Sequence, residues 1–192
     1  MKSKKLVQFL HEAGILRRTP RSGWQTIGAP FESVAEHSFR TAVIGYALAK
    51  MEKLGKEDER KVVLACLFHD VAEARCGDLN LMNKKYVHAH HRLALEDALK
   101  GSGLEEILSL PIDKQGSGKV APILNDADLL DVMFSAKEYL DEGNKYAQKW
   151  LSDSLPMLKT RSGKEIAKKM LAADSKDWLF NTDLFKKENR KK

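Results

Sequence analysis

The sequence predicts an all-α fold, a single-domain helical bundle, and three features of its patterning say so. Nothing in the 192 residues alternates apolar and polar with the period of two that a half-buried strand demands. Apolar residues recur instead at helical spacing, most plainly at Ile123, Leu124, Ala127, Leu130, Met133 and Phe134. Finally, the apolar run Val62 to Phe68 flows unbroken into His69-Asp70-Val71-Ala72-Glu73. With Glu57 to Arg60 in front, that segment covers about 17 residues, too many for an ordinary strand.

The elements follow in order. Residues 3–13 read as a short amphipathic helix stopped by Gly14. A loop follows, Ile15 to Trp24, with Arg17, Arg18 and Arg21 beside a Pro, a Gly and a Trp. The second helix opens with the capping box Ser33-Val34-Ala35-Glu36, carries His37 in its first turns and continues to about Leu54. The third is the apolar helix itself, expected to be enclosed by the bundle and to end near Arg75 to Asp78, with Gly77 as its cap. A fourth is expected from about Lys84 to Lys100 before Gly101-Ser102-Gly103, and a short fifth before Pro111. Asp113 to Lys119 reads as loop and Val120 to Tyr139 as the sixth helix. Ser162-Gly163-Lys164-Glu165 has the spacing of another capping box, opening a helix through Ala173.

Composition narrows the class. With 43% apolar and 31% charged residues over this length, one domain with a real core is expected, over residues 1–180, rather than a disordered chain. No 18-residue apolar stretch exists, so no membrane span and no membrane partner are expected, and no signal-peptide core follows the basic start. Cys66 and Cys76 show no CxxC spacing, which argues against thiolate zinc or a disulfide framework and for a reducing cytoplasm. The net charge is +6, of which the last seven residues carry +4. Residues 181–192 therefore read as a mobile basic tail, and nucleic acid is not the expected partner.

An ionised carboxylate at the end of a buried helix costs several kcal/mol unless it is paired or metal-bound. Asp70 stands in that position, beside His69, with Glu73 on the same side. His37 lies on another buried helix, and a third supplies Asn125-Asp126-Ala127-Asp128-Leu129-Leu130-Asp131. Two imidazoles and two carboxylates suit a divalent ion such as Mn²⁺, Co²⁺, Mg²⁺, Fe²⁺ or Zn²⁺. His88, His90 and His91, with Lys84, Lys85 and Arg92 around them, read as solvent-facing.

These residues resemble the HD-domain phosphohydrolases, whose motif is H…HD…D. Glu36-His37-Ser38, His69-Asp70-Val71-Ala72-Glu73, Gly77-Asp78-Leu79 and Asp126-Ala127-Asp128 together are similar to the 5'-deoxynucleotidase branch, which includes the YfbR-like enzymes and the HD domain-containing protein 2 group. The Arg18-to-Trp24 loop resembles the latter group. The resemblance covers roughly residues 5–150 and implies one metal ion held by His37, His69, Asp70 and Asp128, with Asp126 as the rival fourth ligand. It implies Glu73 beside the attacking water, Asp78 near that water or the sugar hydroxyl, and Arg18 on the phosphate, with Arg21 as a second cation and Trp24 as a sugar-reading candidate. Bacterial members carry a Trp directly after that arginine, whereas Thr19 stands here. Plainer readings stay open: the arginines as solvated loop cations, Trp24 as a core anchor, Asp78 as a turn residue.

The activity implied is metal-dependent hydrolysis of deoxyribonucleoside 5'-monophosphates to deoxynucleoside and phosphate, by a chain that the resemblance suggests is a homodimer. Two other readings remain, an HD hydrolase of nucleotide polyphosphates (a dNTP or an alarmone) and a non-catalytic nucleotide- or RNA-binding module.

Overall fold

Ser33 starts the helix that organises the interior. Its hydroxyl accepts from the Glu36 N–H at 3.2 Å while the Glu36 carboxylate accepts from the Ser33 N–H at 2.7 Å, the capping box expected there. The computed structural model describes residues 2–113, 116 and 118–180. In chain order the helices are α1 (Lys2–Ala13), α2 (Ser22–Gln25), α3 (Val34–Met51), α4 (Lys56–Phe68), α5 (Glu73–Cys76), α6 (Leu81–Tyr86), α7 (His91–Leu99), α8 (Val120–Asp141), α9 (Gln148–Ser154), α10 (Arg161–Ala172) and α11 (Asp177–Phe180). Short 3₁₀ turns at Gly14–Arg17, Glu105–Ser109, Lys145–Ala147 and Leu155–Met157 join them. Among the described residues there is no strand, only an isolated bridge between Pro20 and Ser33. The tail at 181–192 lies outside the described residues, as does part of the loop expected at 113–119.

Two apolar cores share the chain. The larger draws on Ile44 and Leu48 of α3, Val62, Ala65 and Cys66 of α4, Leu124, Leu130 and Met133 of α8, and residues of α9 and α10. The smaller gathers Phe9, Leu16, Val34, Leu95, Leu99 and Ile107 around Val71 and Ala72. A fully buried Leu or Met contributes roughly 1.5–3 kcal/mol, so the long α8, packed on α3, α4, α9 and α10, is the main structural support. Gly45 sets the approach of α3 to α4: a Cβ there would lie 2.6 Å from Cys66 Sγ.

The expected third helix differs in one respect that matters. It stops at Phe68, and the chain continues through tighter bonds, Val71 N–H to Phe68 O at 3.3 Å and Glu73 N–H to Asp70 O at 2.9 Å, before α5. The apolar run serves both cores in turn, and His69-Asp70 sits at the seam between them. Nor is α4 enclosed, since Leu67 is 38% exposed; α3 and α8 hold the centre. Gly77 does end α5, at φ +71, where a glycine is the natural residue.

Two other boundaries shift. The expected fourth helix is two, because residues 87–90 interrupt it, and its first half begins at Leu81 under an Asn80 cap. The capping box expected at Ser162 is displaced: Thr160 is the N-cap of α10, and Ser162 lies inside the helix with its hydroxyl and N–H on the Glu52 carboxylate. No described helix is long and apolar enough to cross a membrane.

Candidate active site

Four side chains from three segments converge at the seam. His37 comes from the first turn of α3, His69 and Asp70 from the turn after α4, and Asp128 from the middle of α8. Their donor atoms all lie within 4.8 Å of one another. His37 Nε2 is 3.1 Å from Asp128 Oδ1, 3.5 Å from Asp70 Oδ2 and 3.4 Å from His69 Nε2. His69 Nε2 is 3.1 Å from Asp70 Oδ2 and 3.5 Å from Asp128 Oδ1. Donors bound to one cation at 2.0–2.2 Å stand about 3 to 3.5 Å apart, so the set has the spacing to hold a divalent ion.

The back sides of both rings support this. His69 Nδ1 lies 2.8 Å from the Cys66 carbonyl, which can only accept, so Nδ1 carries the hydrogen and Nε2 presents its lone pair to the cluster. His37, with no exposed surface, turns Nδ1 to Asp131 Oδ2 at 2.5 Å. Asp131 belongs to the acidic stretch read in the sequence, but nothing in its spacing sets it apart from Asp126 and Asp128. Asp126 faces elsewhere: its buried carboxylate accepts from the N–H groups of Lys159 and Thr160 at 2.8 and 2.7 Å.

Acidic groups crowd the site. Burial, Asp70 and Asp78 push the Glu73 carboxyl up to about 9, against the lowering influence of Arg21 and His69. Glu73 Oε2 is itself buried with no hydrogen-bond partner. Burial and Arg21 lower the His37 imidazole, yet hydrogen bonds to Asp128 and Asp131 outweigh them and hold it above its ordinary range. A carboxyl held toward its neutral form and an imidazole held toward its charged form both mark an acid-rich cluster, and an arginine stands beside it.

That arginine is Arg21. Its Nη1 is 3.4 Å from Asp78 Oδ2 and 3.8 Å from Asp70 Oδ2, and neighbouring carboxylates raise its pKa despite burial. Asp78 Oδ2 also accepts the Ser22 N–H at 3.0 Å, clamping the start of α2 over the site. The loop is closed at its base by Arg21 N–H to Glu32 O at 2.8 Å and Val34 N–H to Thr19 O at 2.9 Å. Arg18 is not brought to the cleft; it stands exposed at the end of the Gly14–Arg17 turn. Trp24 is 3% exposed and packs against Tyr139 and Trp150, with ring centroids 5.2 and 5.4 Å away. It is a core anchor that also lines the cleft, and little of its surface is left for a ligand.

The cleft holds about 450 Å³ and runs from Asp70, Glu73 and Asp128 past Arg21 to Leu81 and Met82 on α6. These two are 83% and 65% exposed, so its outer wall is apolar and open. His88, His90 and His91, which follow α6, face solvent as expected.

Residues 13–171 match the family model described as HD domain. A Bos taurus protein named 5'-deoxynucleotidase HDDC2 is 31% identical over 155 residues, covering 74% of this chain and 72% of the relative. The Homo sapiens protein of that name is 29% identical over the same length, with the same coverages. Among solved structures, a conserved hypothetical protein from Pyrococcus furiosus is similar at a TM-score of 0.71 and 30% identity, covering 87% of this chain and 99% of that one.

Proposed function

The chain belongs to the HD-domain family, and from that premise we propose that it is a metal-dependent phosphomonoesterase acting on deoxyribonucleoside 5'-monophosphates, releasing deoxynucleoside and phosphate. One observation carries this above the rest: His37, His69, Asp70 and Asp128 converge on one point, in a cleft also lined by Arg21 and by Glu73, whose Oε2 is buried without a partner. Those four residues would hold the ion. Bound there, a divalent cation supplies Lewis acidity toward a phosphoryl oxygen and lowers the pKa of water.

The chain's own groups do the rest. Arg21, clamped by Asp78, offers its guanidinium to the non-bridging phosphate oxygens and holds the phosphoryl group in line. Glu73 takes the proton of the attacking water through its free Oε2, a role open to it once a cation has drawn its pKa down. The proton that Glu73 takes up is then delivered to the departing 5'-oxygen, directly or through solvent, so the products are an alcohol and phosphate and Glu73 returns to its carboxylate. Asp78, with Oδ2 taken by Ser22 and Arg21, acts by fixing the arginine. Arg18 has no place on the phosphate in this scheme, and the 2'-position of the sugar is read by surfaces other than the buried face of Trp24.

Monophosphates are preferred for a physical reason. The described lining carries Asp70, Glu73, Asp78 and Asp128 against Arg21 and Lys84, which leaves little to neutralise two further phosphates. The deoxyribose preference follows the named relatives. A homodimer and a cytoplasmic home, the latter suggested by two cysteines that form no disulfide, belong to the same proposal. The test is phosphate release from dAMP, dGMP, dCMP, dUMP and dTMP against AMP, GMP and dATP with saturating Mn²⁺ or Co²⁺. The deoxyribonucleoside monophosphates should lead, by of order 10²-fold in kcat/KM. Equal values for AMP and dAMP would remove the sugar preference, and dATP as the best substrate would favour a polyphosphate hydrolase.

A further inference from the structure

We propose that Asp131 is a positioning residue for the metal centre: it fixes the His37 ring in the tautomer that presents Nε2 to the cation, and Arg40 fixes Asp131. This rests on the reading of His37, His69, Asp70 and Asp128 as metal ligands. Asp131 lies one turn beyond Asp128 on α8 and is 1% exposed. Its two oxygens are divided between two donors. Oδ2 faces His37 Nδ1 at 2.5 Å, and Oδ1 accepts from Arg40 Nε at 2.5 Å. The rest of the Arg40 guanidinium is spent on the Asp131 carbonyl at 3.3 Å, Glu138 at 2.9 Å and the Ser135 hydroxyl, with Glu32 at 3.7 Å. The Thr41 hydroxyl lies 3.5 Å from the same His37 nitrogen.

The two histidines are thus held by different means. A main-chain carbonyl holds His69, which no side-chain substitution removes. A carboxylate oxygen at 2.5 Å is the near partner of His37 Nδ1, with the Thr41 hydroxyl farther away at 3.5 Å, and the other oxygen of that carboxylate is claimed by a group that never gives up its hydrogen.

Asp131→Asn exposes this arrangement with almost no change in shape. The amide keeps one acceptor oxygen and turns the other position into an NH₂ donor. Arginine always donates and imidazole can shift its hydrogen, so the oxygen stays with Arg40 and the NH₂ faces His37 Nδ1. His37 then carries its hydrogen on Nε2, where the metal should sit. Replacing Arg40 by Met releases the amide to rotate its oxygen toward His37 and restores the binding tautomer. A residue needed only for packing would show no such rescue.

The experiment measures the Co²⁺ dissociation constant by equilibrium dialysis, checked by the visible spectrum of the bound ion, for the parent, Asp131→Asn, Arg40→Met and the double variant. Asp131→Asn should weaken Co²⁺ binding about 10- to 100-fold. The double variant should bind several-fold more tightly than Asp131→Asn alone. Equal affinity in Asp131→Asn and the parent overturns the inference, as does a double variant no tighter than the single one. Should the variants not fold, nitrogen NMR of the Zn²⁺-loaded parent decides: Nδ1 hydrogen-bearing and Nε2 on zinc supports the assignment, and the reverse overturns it. A parent that takes up neither ion fails differently, since the metal centre falls and this inference with it.

Discussion

Glu73 is a buried acid whose charge state answers to its neighbours, Asp70 and Asp78 raising its carboxyl together with burial and Arg21 opposing them. Its position after His69-Asp70 marks it as part of the site, but that its Oε2 has no partner is a fact of packing. Asp131 is less legible still, one of three aspartates within six residues of α8, where only the helix's rotation decides which faces His37. Arg18 and Arg21 cannot be ranked from sequence for the same reason, because the direction of each depends on how Thr19, Glu32 and Asp78 close the loop. For Glu73→Gln, phosphate release should fall at least about 100-fold while elemental analysis still finds the metal. The same variant tests the acid's environment in chelated protein. The carboxyl's ordinary value is 4.5 and the fold raises it to about 9. Its contribution to stability is therefore complete below about 4.5 and is lost as pH rises toward 9, because the folded chain binds a proton that the unfolded chain has released. Urea unfolding between pH 5 and 9 should show a falling stability in the parent and a shallower fall in Glu73→Gln; parallel curves would contradict it.

Elements with long apolar stretches and clear caps are the readable ones. The starts of α3 and α8, and the end of α5 at Gly77, lie where the sequence places them. Breaks are not readable, since residues 69–72 and 87–90 contain neither Pro nor Gly to announce one, and tertiary packing decides there. The start of α10 falls two residues earlier than expected because Ser162 satisfies the capping pattern on paper while Thr160 occupies the position beside Asp126. That contact separates the two rival aspartates. Asp126 supports the entry to α10 through the N–H groups of Lys159 and Thr160, the Thr160 hydroxyl and the Asn125 amide. Asp126→Ala should lower unfolding stability by about 2–4 kcal/mol in urea titrations, because it strands buried donors, yet leave Co²⁺ binding unchanged. Gly163→Ala should act in the same direction, as a Cβ would stand 2.4 Å from Asp126 Oδ2. An Asp126→Ala protein of full stability that fails to bind Co²⁺ would reverse the roles given to Asp126 and Asp128.

At the scale of the whole molecule, the class of fold is legible from apolar periodicity and Asp70 from the expense of a buried charge, whereas the full set of four, Asp128 above Asp126, is implied only by the family resemblance. The division into two cores is not legible, since it depends on distant segments gathering together, as Phe9, Val71, Leu95 and Ile107 do in the smaller core. The site lies where these cores meet and where residues 37, 69–70 and 128 come together, so an ion bound there would tie α3, the end of α4 and α8 into one unit. Without it, the folded chain must keep Asp70, Glu73 and Asp128 near one another with Arg21 as their nearby cation. Metal should therefore stabilise the entire fold and not the loop alone. At a free concentration 100 times its dissociation constant, an ion that binds only the folded chain adds about 2.7 kcal/mol. For a chain of this length that corresponds to a rise in Tm of roughly 5–10 °C over chelated protein. Thermal unfolding with Co²⁺ or with chelator should show that rise in the parent. Asp128→Ala should show almost none, and Asp126→Ala should show all of it from a lower starting point. A rise of equal size in Asp128→Ala would mean that the ion stabilises the chain from some other place.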